Sequence, residues 1–330
     1  MRSALRSLVG DLRQVASVRR IVLDDGPERG VRALAFSTGG GLDFWVLSDR
    51  SMDIGPLWWR GVQLGWHAPG GFRSPALTNL DGDDGMGFNR SLSGFLVTCG
   101  LDHTRQPVKG FPLHGRLPFT PARVTAYGED WERDMPVLFC EGEVIQARIG
   151  GETLRLKRRI EAPVGGATLC IRDEVENLGP TSWQQAMLYH FNLGYPAVGS
   201  GSKVTLGSTT VLGPLTTPAD GEPAGALTVP AGAGDRAVCR LTAPTDGPEN
   251  LTLDLSFDPT TLPHLQLWHD LRPRVGILAL EPCTSARTGA GHSASESTIE
   301  PGERRTFTLD VSVGGEAQAI GSMLTNAGNR

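Results

Sequence analysis

Two runs that meet at Gly150-Gly151 constrain this chain most. Residues 137–149 and 152–160 read as strands, and a Gly-Gly pair between strands signals a hairpin, because tight hairpin turns need positive φ. The pattern continues downstream, where Leu169, Ile171, Asp173 and Val175 alternate with Cys170, Arg172 and Glu174. That is one buried and one wet face. Asn177-Leu178-Gly179-Pro180 then turns the chain into another run at 182–189. Short runs bounded by Gly, Asp or Pro recur at 19–23, 32–37, 43–47, 94–101, 251–257, 265–268, 275–280 and 306–313. With 43 glycines and 23 prolines in 330 residues, turns outweigh long helices. Roughly a dozen or more strands and almost no helix predict an all-β fold, a large antiparallel sandwich. One body spanning residues 1–330, built on two stacked sheets, fits better than two domains. No internal repeat and no linker-like composition break interrupts it.

Some segments depart from strand spacing. Leu5, Leu8, Val9, Leu12 and Val15 have helical spacing, which predicts an amphipathic helix over residues 3–17 and a helical brace within 1–18. The tail from Gly314, residues 315–330, is expected to be loosely held. Residues 70–90 read as a long loop of the kind that carries function, and 213–250 as a meandering edge. Gly39-Gly40-Gly41 has no following Lys-Ser/Thr and opens no helix, so it reads as a turn and not a phosphate loop.

The net charge of −5 argues against nucleic acid as a partner. The basic run Arg155-Leu156-Lys157-Arg158-Arg159 reads as a solvated strand face. Cys99, Cys140, Cys170, Cys239 and Cys283 are odd in number and hold no Cys-x-x-Cys pair, so reduced thiols in a cytoplasmic protein are expected. No apolar core of signal-peptide length opens the chain, and no run approaches the ~18 apolar residues of a membrane span.

Three stretches place a proton-transfer group beside a chain breaker at the end of an apolar run. These are Tyr189-His190-Phe191-Asn192-Leu193-Gly194-Tyr195-Pro196, Pro112-Leu113-His114-Gly115-Arg116 and Leu280-Glu281-Pro282. Two imidazoles and one carboxylate are the minimum set for acid–base chemistry on a neutral hydroxyl compound. The aromatic rings and the Asn192 carboxamide beside His190 suit a small polar ligand with an apolar face, such as a sugar. Three histidines and one Glu also make a metal site conceivable, though His103, His114, His190 and Glu281 show no close ligand spacing.

In this order the motifs resemble the aldose 1-epimerase (galactose mutarotase-like) superfamily, and most closely its aldose-epimerase-like, DUF4432-type branch. The resemblance rests on Arg50-x-Met52-Asp53-Ile54-Gly55 with Gly65-Trp66-x-x-Pro69, on Gly94-x-Leu96-Val97-Thr98-Cys99-Gly100-Leu101, and on Leu113-His114-Gly115. It rests also on Asn177 with His190-x-Asn192-Leu193 and on Leu280-Glu281-Pro282. Together these span about residues 45 to 310. The resemblance implies a β-supersandwich with His190 as general acid, Glu281 as general base and His114 as a substrate-binding residue, with no cofactor or metal. Around them, Arg50 is a candidate clamp for a hydroxyl or an anionic substituent, and Trp66 or Phe191 a platform for the sugar face. Asn192 and His103 complete the candidate substrate-binding set. Two departures stand out: Tyr189 replaces the superfamily's second histidine before the acid, and no convincing sugar-orienting Asp is found, Asp270 being a poor match.

The function expected is anomer interconversion of a free aldose in the cytoplasm. A non-catalytic sugar-binding protein and a metal-assisted isomerase or lyase are the rivals. Glycoside hydrolysis is weaker, because it usually needs paired carboxylates. A small-molecule sugar is the expected partner, without nucleic acid or membrane, and a homodimer is held open.

Overall fold

The computed structural model describes residues 2–108, 110–221, 223–294 and 297–316. The first strands are β1 (Ser17–Val22), β2 (Arg32–Ser37), β3 (Leu42–Leu47), β4 (Asp53–Trp59), β5 (Val62–Gln63) and β6 (Leu96–Leu101). Next come β7 (Arg123–Asp130), β8 (Val137–Ala147), β9 (Thr153–Pro163), β10 (Thr168–Asn177), β11 (Trp183–Leu193), β12 (Lys203–Leu206) and β13 (Thr209–Leu212). The chain finishes with β14 (Leu227–Pro230), β15 (Ala237–Ala243), β16 (Leu251–Phe257), β17 (His264–Asp270), β18 (Ile277–Cys283), β19 (Ser297–Ile299) and β20 (Arg304–Gly314).

These strands form three antiparallel sheets. One holds β1 to β5 in order, and a nine-stranded sheet runs β13-β12-β15-β16-β20-β10-β9-β8-β7. The third runs β14-β17-β18-β11-β19, with β6 also paired to β11. The predicted hairpin is β8–β9, closed at Ala147↔Thr153. Its loop is longer than a two-residue turn, and Gly150 takes φ +74° there.

The main core lies between the inner faces of the sheets. Leu138, Cys140, Leu154, Leu156 and Ile160 of the nine-stranded sheet share it with Met187, Tyr189, Phe191, Leu265, Leu267, Leu278 and Leu280. Period-2 alternation therefore sends the residues between them, on β11, β17 and β18, to the opposite face. There a smaller apolar cluster forms from Val97, Cys99, Leu188 and Cys283 with Phe88, Leu113 and Phe119 from the loops. This second face carries the candidate site.

Two sequence expectations change. The helix predicted over 3–17 is a five-residue helix at Arg2–Arg6 followed by a 3-10 turn at Leu12–Gln14. Gly10 interrupts the periodicity, and Asp11 caps the new turn by accepting the Arg13 N–H at 2.9 Å. Leu8 is left exposed. The basic run on β9 is also not wholly solvated. Arg155, Lys157 and Arg159 pair across strands on the outer face, but Arg158 is buried in the core, bridging Asp173 and Asp53. The tail expected to be loose lies outside the described residues, apart from Gly315 and Glu316. Gly315 is tied down, its carbonyl accepting the Trp59 Nε1–H at 3.0 Å.

Candidate functional site

His190 and Asn192 are two residues apart on β11, so they share its outer face. Asn192 donates its Nδ2 hydrogens to the carbonyls of Gly94 (3.1 Å) and His190 (3.0 Å), which fixes the amide and turns its Oδ1 toward His190 Nδ1 at 2.5 Å. An amide oxygen only accepts, so His190 Nδ1 carries a hydrogen. The other ring nitrogen, Nε2, then faces the cavity, 3.6 Å from Glu281 Oε1.

Glu281 sits on β18, which pairs with β11. The pairs Leu188↔Cys283 and Phe191↔Leu280 bracket His190 and Glu281. On the far side of β18, Gln266 of β17 is the register partner of Glu281 and donates its Nε2–H to Oε2. Gln266 Oε1 in turn accepts the Arg105 Nε–H at 2.8 Å. Arg105 is buried and fixed by Nη1 donations to Ser285 and Ser293 Oγ, both 2.9 Å, and by Nη2 contacts to Cys283 Sγ and the Ser285 carbonyl. A guanidinium, an amide and a carboxylate thus stand in line. The remaining oxygen, Glu281 Oε1, is buried and has no hydrogen-bond partner. Such an atom is costly to bury, and this one faces His190 Nε2, which in the neutral ring is also a bare lone pair. At 3.6 Å the two do not hydrogen-bond to each other, which leaves both open to a ligand hydroxyl group in the cavity.

His114 comes from the loop after β6. Its backbone is at φ +63°, uncommon for a residue with a side chain and a conformation that clusters at functional sites. The next residue has to be glycine. Gly115 lies at φ +80°, and a Cβ there would meet the His103 and Gly100 carbonyls at 2.4 and 2.5 Å. The loop is pinned onto the end of β6 through Gly100 N–H to the His114 carbonyl and Leu117 N–H to the Gly100 carbonyl. His114 Nδ1 accepts the Arg105 backbone N–H at 3.3 Å. Burial, then the neighbouring charges of His190 and Arg105, push its pKa well below the ordinary histidine value. His114 is therefore a neutral ring with Nε2–H as its donor.

The His114 and His190 rings are 5.5 Å apart and nearly perpendicular. Phe88 packs on both, at 4.7 and 6.0 Å, and Trp268 closes on His190 at 6.3 Å. These residues line a cavity of about 240 Å³, together with Met86, Gln266, Glu281, Arg105 and Arg287. Two nitrogen donors, one carboxylate and two aromatic walls suit a molecule that is hydroxylated at its edge and apolar on its faces. Among the described residues, no three His, Cys, Asp or Glu side chains are placed to hold a metal ion.

The sequence model of a domain of unknown function, DUF4432, matches residues 28–313. The chain belongs to that family. Among solved structures, a Klebsiella pneumoniae protein with a provisional aldose 1-epimerase name shares 19% identity, with TM-score 0.72 over 94% of this chain and 86% of its own. A galactose mutarotase-like protein from Clostridium acetobutylicum is 12% identical, with TM-score 0.55 over 91% and 98% of the two chains. A provisionally named mutarotase from Salmonella typhimurium is 12% identical, with TM-score 0.53 over 95% and 100%. At such identities the likeness establishes the fold, which is galactose mutarotase-like. No curated protein sequence matches the chain. Among the described residues no helix is long and apolar enough to cross a membrane.

Within this DUF4432 chain the fold brings together His114, His190, Glu281 and, behind His190, Asn192. Arg50, Trp66, His103 and Phe191 lie elsewhere. Phe191 is the strand neighbour of His190, so it faces the main core, where it packs on Phe95 at 5.4 Å. Tyr189 points the same way and donates its hydroxyl to Asp173 at 2.7 Å, so this departure from the superfamily pattern falls behind the site. Arg50 is buried over the Phe119 ring at 4.3 Å and donates to the Arg73 and Ser91 carbonyls. Burial lowers its pKa to about 10. It supports Phe119, which packs on Phe88, and does not reach the cavity. Trp66 lines a separate hollow and donates to the Val275 carbonyl at 2.8 Å. His103 donates from Nε2 to the Gln106 carbonyl at 2.9 Å. Asp270 is held by Arg272 at 2.7 Å, outside the cavity lining.

Sequence reasoning missed Gln266, Arg105, Phe88 and Trp268. A signal existed for two of them. In His264-Leu265-Gln266-Leu267-Trp268 the buried leucines alternate with the site-facing residues. Nothing local marked Arg105 or Phe88, which come from loops.

Proposed function

We propose that this chain is a carbohydrate mutarotase that interconverts the anomers of a free aldose by acid–base ring opening. The observation that carries the reading is the unsatisfied Glu281 Oε1 facing His190 Nε2 at 3.6 Å in a cavity of monosaccharide size. In a cyclic sugar, the anomeric hydroxyl oxygen and the ring oxygen are bonded to one carbon. A base and an acid this close reach both at once, which is the positional demand of general acid–base catalysis.

In the reactive form His190 Nε2 carries a proton and Glu281 is a carboxylate. Glu281 takes the proton of the anomeric hydroxyl while His190 delivers its proton to the ring oxygen. The bond from C1 to the ring oxygen breaks and C1 becomes an aldehyde carbon. Rotation about C1–C2 presents the other carbonyl face. The freed hydroxyl then attacks, returning its proton to His190 Nε2, and Glu281 gives its proton back to the former carbonyl oxygen. No atom or electron is gained or lost. Asn192 keeps the reactive nitrogen of His190 aimed at the cavity, and Gln266 does the same for Glu281. His114, neutral throughout, donates Nε2–H to a sugar oxygen.

The test is anomer exchange by polarimetry and saturation-transfer NMR on a panel of aldoses, with wild type and Glu281→Gln. Acceleration by wild type that is lost in Glu281→Gln supports the reading. Saturable sugar binding with no acceleration of exchange overturns it in favour of a binding protein of the same fold.

A further inference from the structure

The charges lining the cavity do not balance. Among the described residues, Arg105 and Arg287 bring two guanidinium groups to the lining, and Glu281 brings one carboxylate. Every Arg105 donor group is engaged by an uncharged acceptor. The Arg287 side chain makes no hydrogen bond and no ion pair with any described residue, although the residue is half-buried. It is held in place by the chain around it. Residues 288–291 form a tight turn, with Gly291 N–H bonded to the Thr288 carbonyl at 2.9 Å, and Arg287 bridges Ser293 across it. Gly291 lies at φ +86°, and a Cβ there would stand 3.1 Å from Arg287 Nη2 and 2.8 Å from Gln106 Cγ. The glycine therefore makes room for the guanidinium at the cavity wall.

The protein's larger groove gives the contrast. On the outer face of the nine-stranded sheet, Glu141, Glu143, Lys157, Arg159, Arg172, Glu174 and Arg304 line an open hollow, and each is in an ion pair. That surface is self-neutralised, whereas the cavity keeps a partly desolvated fork of donors with no acceptor among the described residues. A guanidinium in this state matches a carboxylate or a phosphate, the planar or multidentate anions that arginine binds best.

We propose that the sugar accepted at this site is anionic, with its charged group remote from C1 and bound by Arg287. The inference rests on the mutarotase reading for the placement of C1 between His190 and Glu281. The cavity is smaller than the roughly 300 Å³ at which drug-sized sites begin, so it takes a single ring with its substituent toward the mouth. A hexuronate and a hexose 6-phosphate are the two sources of such a charge.

The experiment compares a neutral hexose, a hexuronate and a hexose 6-phosphate with wild type, Arg287→Gln and Arg287→Lys. Anomer exchange is followed by NMR and binding by calorimetry, at one ionic strength. Wild type is expected to favour one of the two anions over the neutral sugar, and the favoured arm identifies the source. In Arg287→Gln the anionic-to-neutral ratio of kcat/KM falls by about 10- to 100-fold, mainly through KM, and Arg287→Lys restores part of it. An unchanged ratio in Arg287→Gln, or no preference for either anion in wild type, overturns the proposal. Anion binding that depends on Arg287 without exchange of any sugar leaves this inference standing and removes the mutarotase reading. Exchange of neutral sugars alone does the reverse.

Discussion

Gln266 lies directly opposite Glu281 in the β17–β18 pairing and donates to its Oε2, while Arg105 donates to the other end of the same amide. The carboxylate is thereby held with one oxygen bound and one open. Replacing Gln266 by Leu leaves Glu281 Oε2 and Arg105 Nε unpaired in a buried site. Stability should fall by about 1–3 kcal/mol in urea titrations, and kcat by at least about tenfold. A Leu variant with wild-type kcat would remove Gln266 from the positioning of the base.

Glu281→Gln keeps the shape and removes the acceptor charge. Exchange should drop by about 10²- to 10⁴-fold, the range of a lost acid–base partner. The melting temperature should not fall, because a buried oxygen without a hydrogen-bond partner is replaced by a neutral amide. Thermal melts beside polarimetry separate the two effects.

Asn192 contacts His190 and backbone carbonyls and is absent from the cavity lining. Asn192→Leu frees the imidazole to rotate or change tautomer. The expected result is a kcat lowered by about 10- to 100-fold with KM little changed. Asn192→Asp, which keeps an acceptor at Nδ1, should recover part of the loss. An equal rise in KM would show that Asn192 contributes to sugar binding directly.

In long-range nitrogen–proton NMR spectra His114 should carry its hydrogen on Nε2 alone, and His190 should keep a hydrogen on Nδ1. His114 has a folded-state pKa well below the ordinary 6.5, with burial as the first cause. The unfolded chain therefore takes up this proton first. The contribution of His114 to stability is complete above pH 6.5 and is lost as pH falls below it. The gap between wild type and His114→Gln should shift against wild type between pH 6.5 and 5. A constant gap would contradict the neutral assignment.

The core ion cluster predicts the opposite trend. Asp53 accepts from Thr98 and from Arg158 Nη1 at 3.0 Å, yet burial raises its pKa from 3.8 to about 6. Here the folded state holds the proton longer than the unfolded chain does, so stability from this group falls as pH rises from about 4 to 6. Relative to Asp53→Asn, wild type should lose on the order of 2 kcal/mol across that window in denaturant titrations. Arg158→Met, which leaves Asp53 and Asp173 buried without their cation, should cost about 3–5 kcal/mol.

Much of this was legible before folding. Alternation marked most of the strands, and three stretches ending in breakers marked His114, His190 and Glu281. The errors have physical causes too. Phe191 looked like part of the site because it adjoins His190, but adjacent strand residues face opposite ways. Arg158 looked solvated because charge is usually outside, yet its position on β9 faces inward and finds two carboxylates there. Arg50 and Trp66 belong to motifs, and their atoms are committed to backbone carbonyls away from the cavity.

The sequence by itself determined that the chain is built of alternating strands, where most of them lie, and which stretches set a titratable group beside a chain breaker. Those depend on neighbours two positions away. Only the tertiary structure decided that Arg105 reaches Gln266 across 161 positions, that Glu281 is left with one bare oxygen, and that Arg287 stands in the cavity wall with no carboxylate partner among the described residues. Pairing of buried polar groups is set by which strands and loops become neighbours, and no local pattern encodes that.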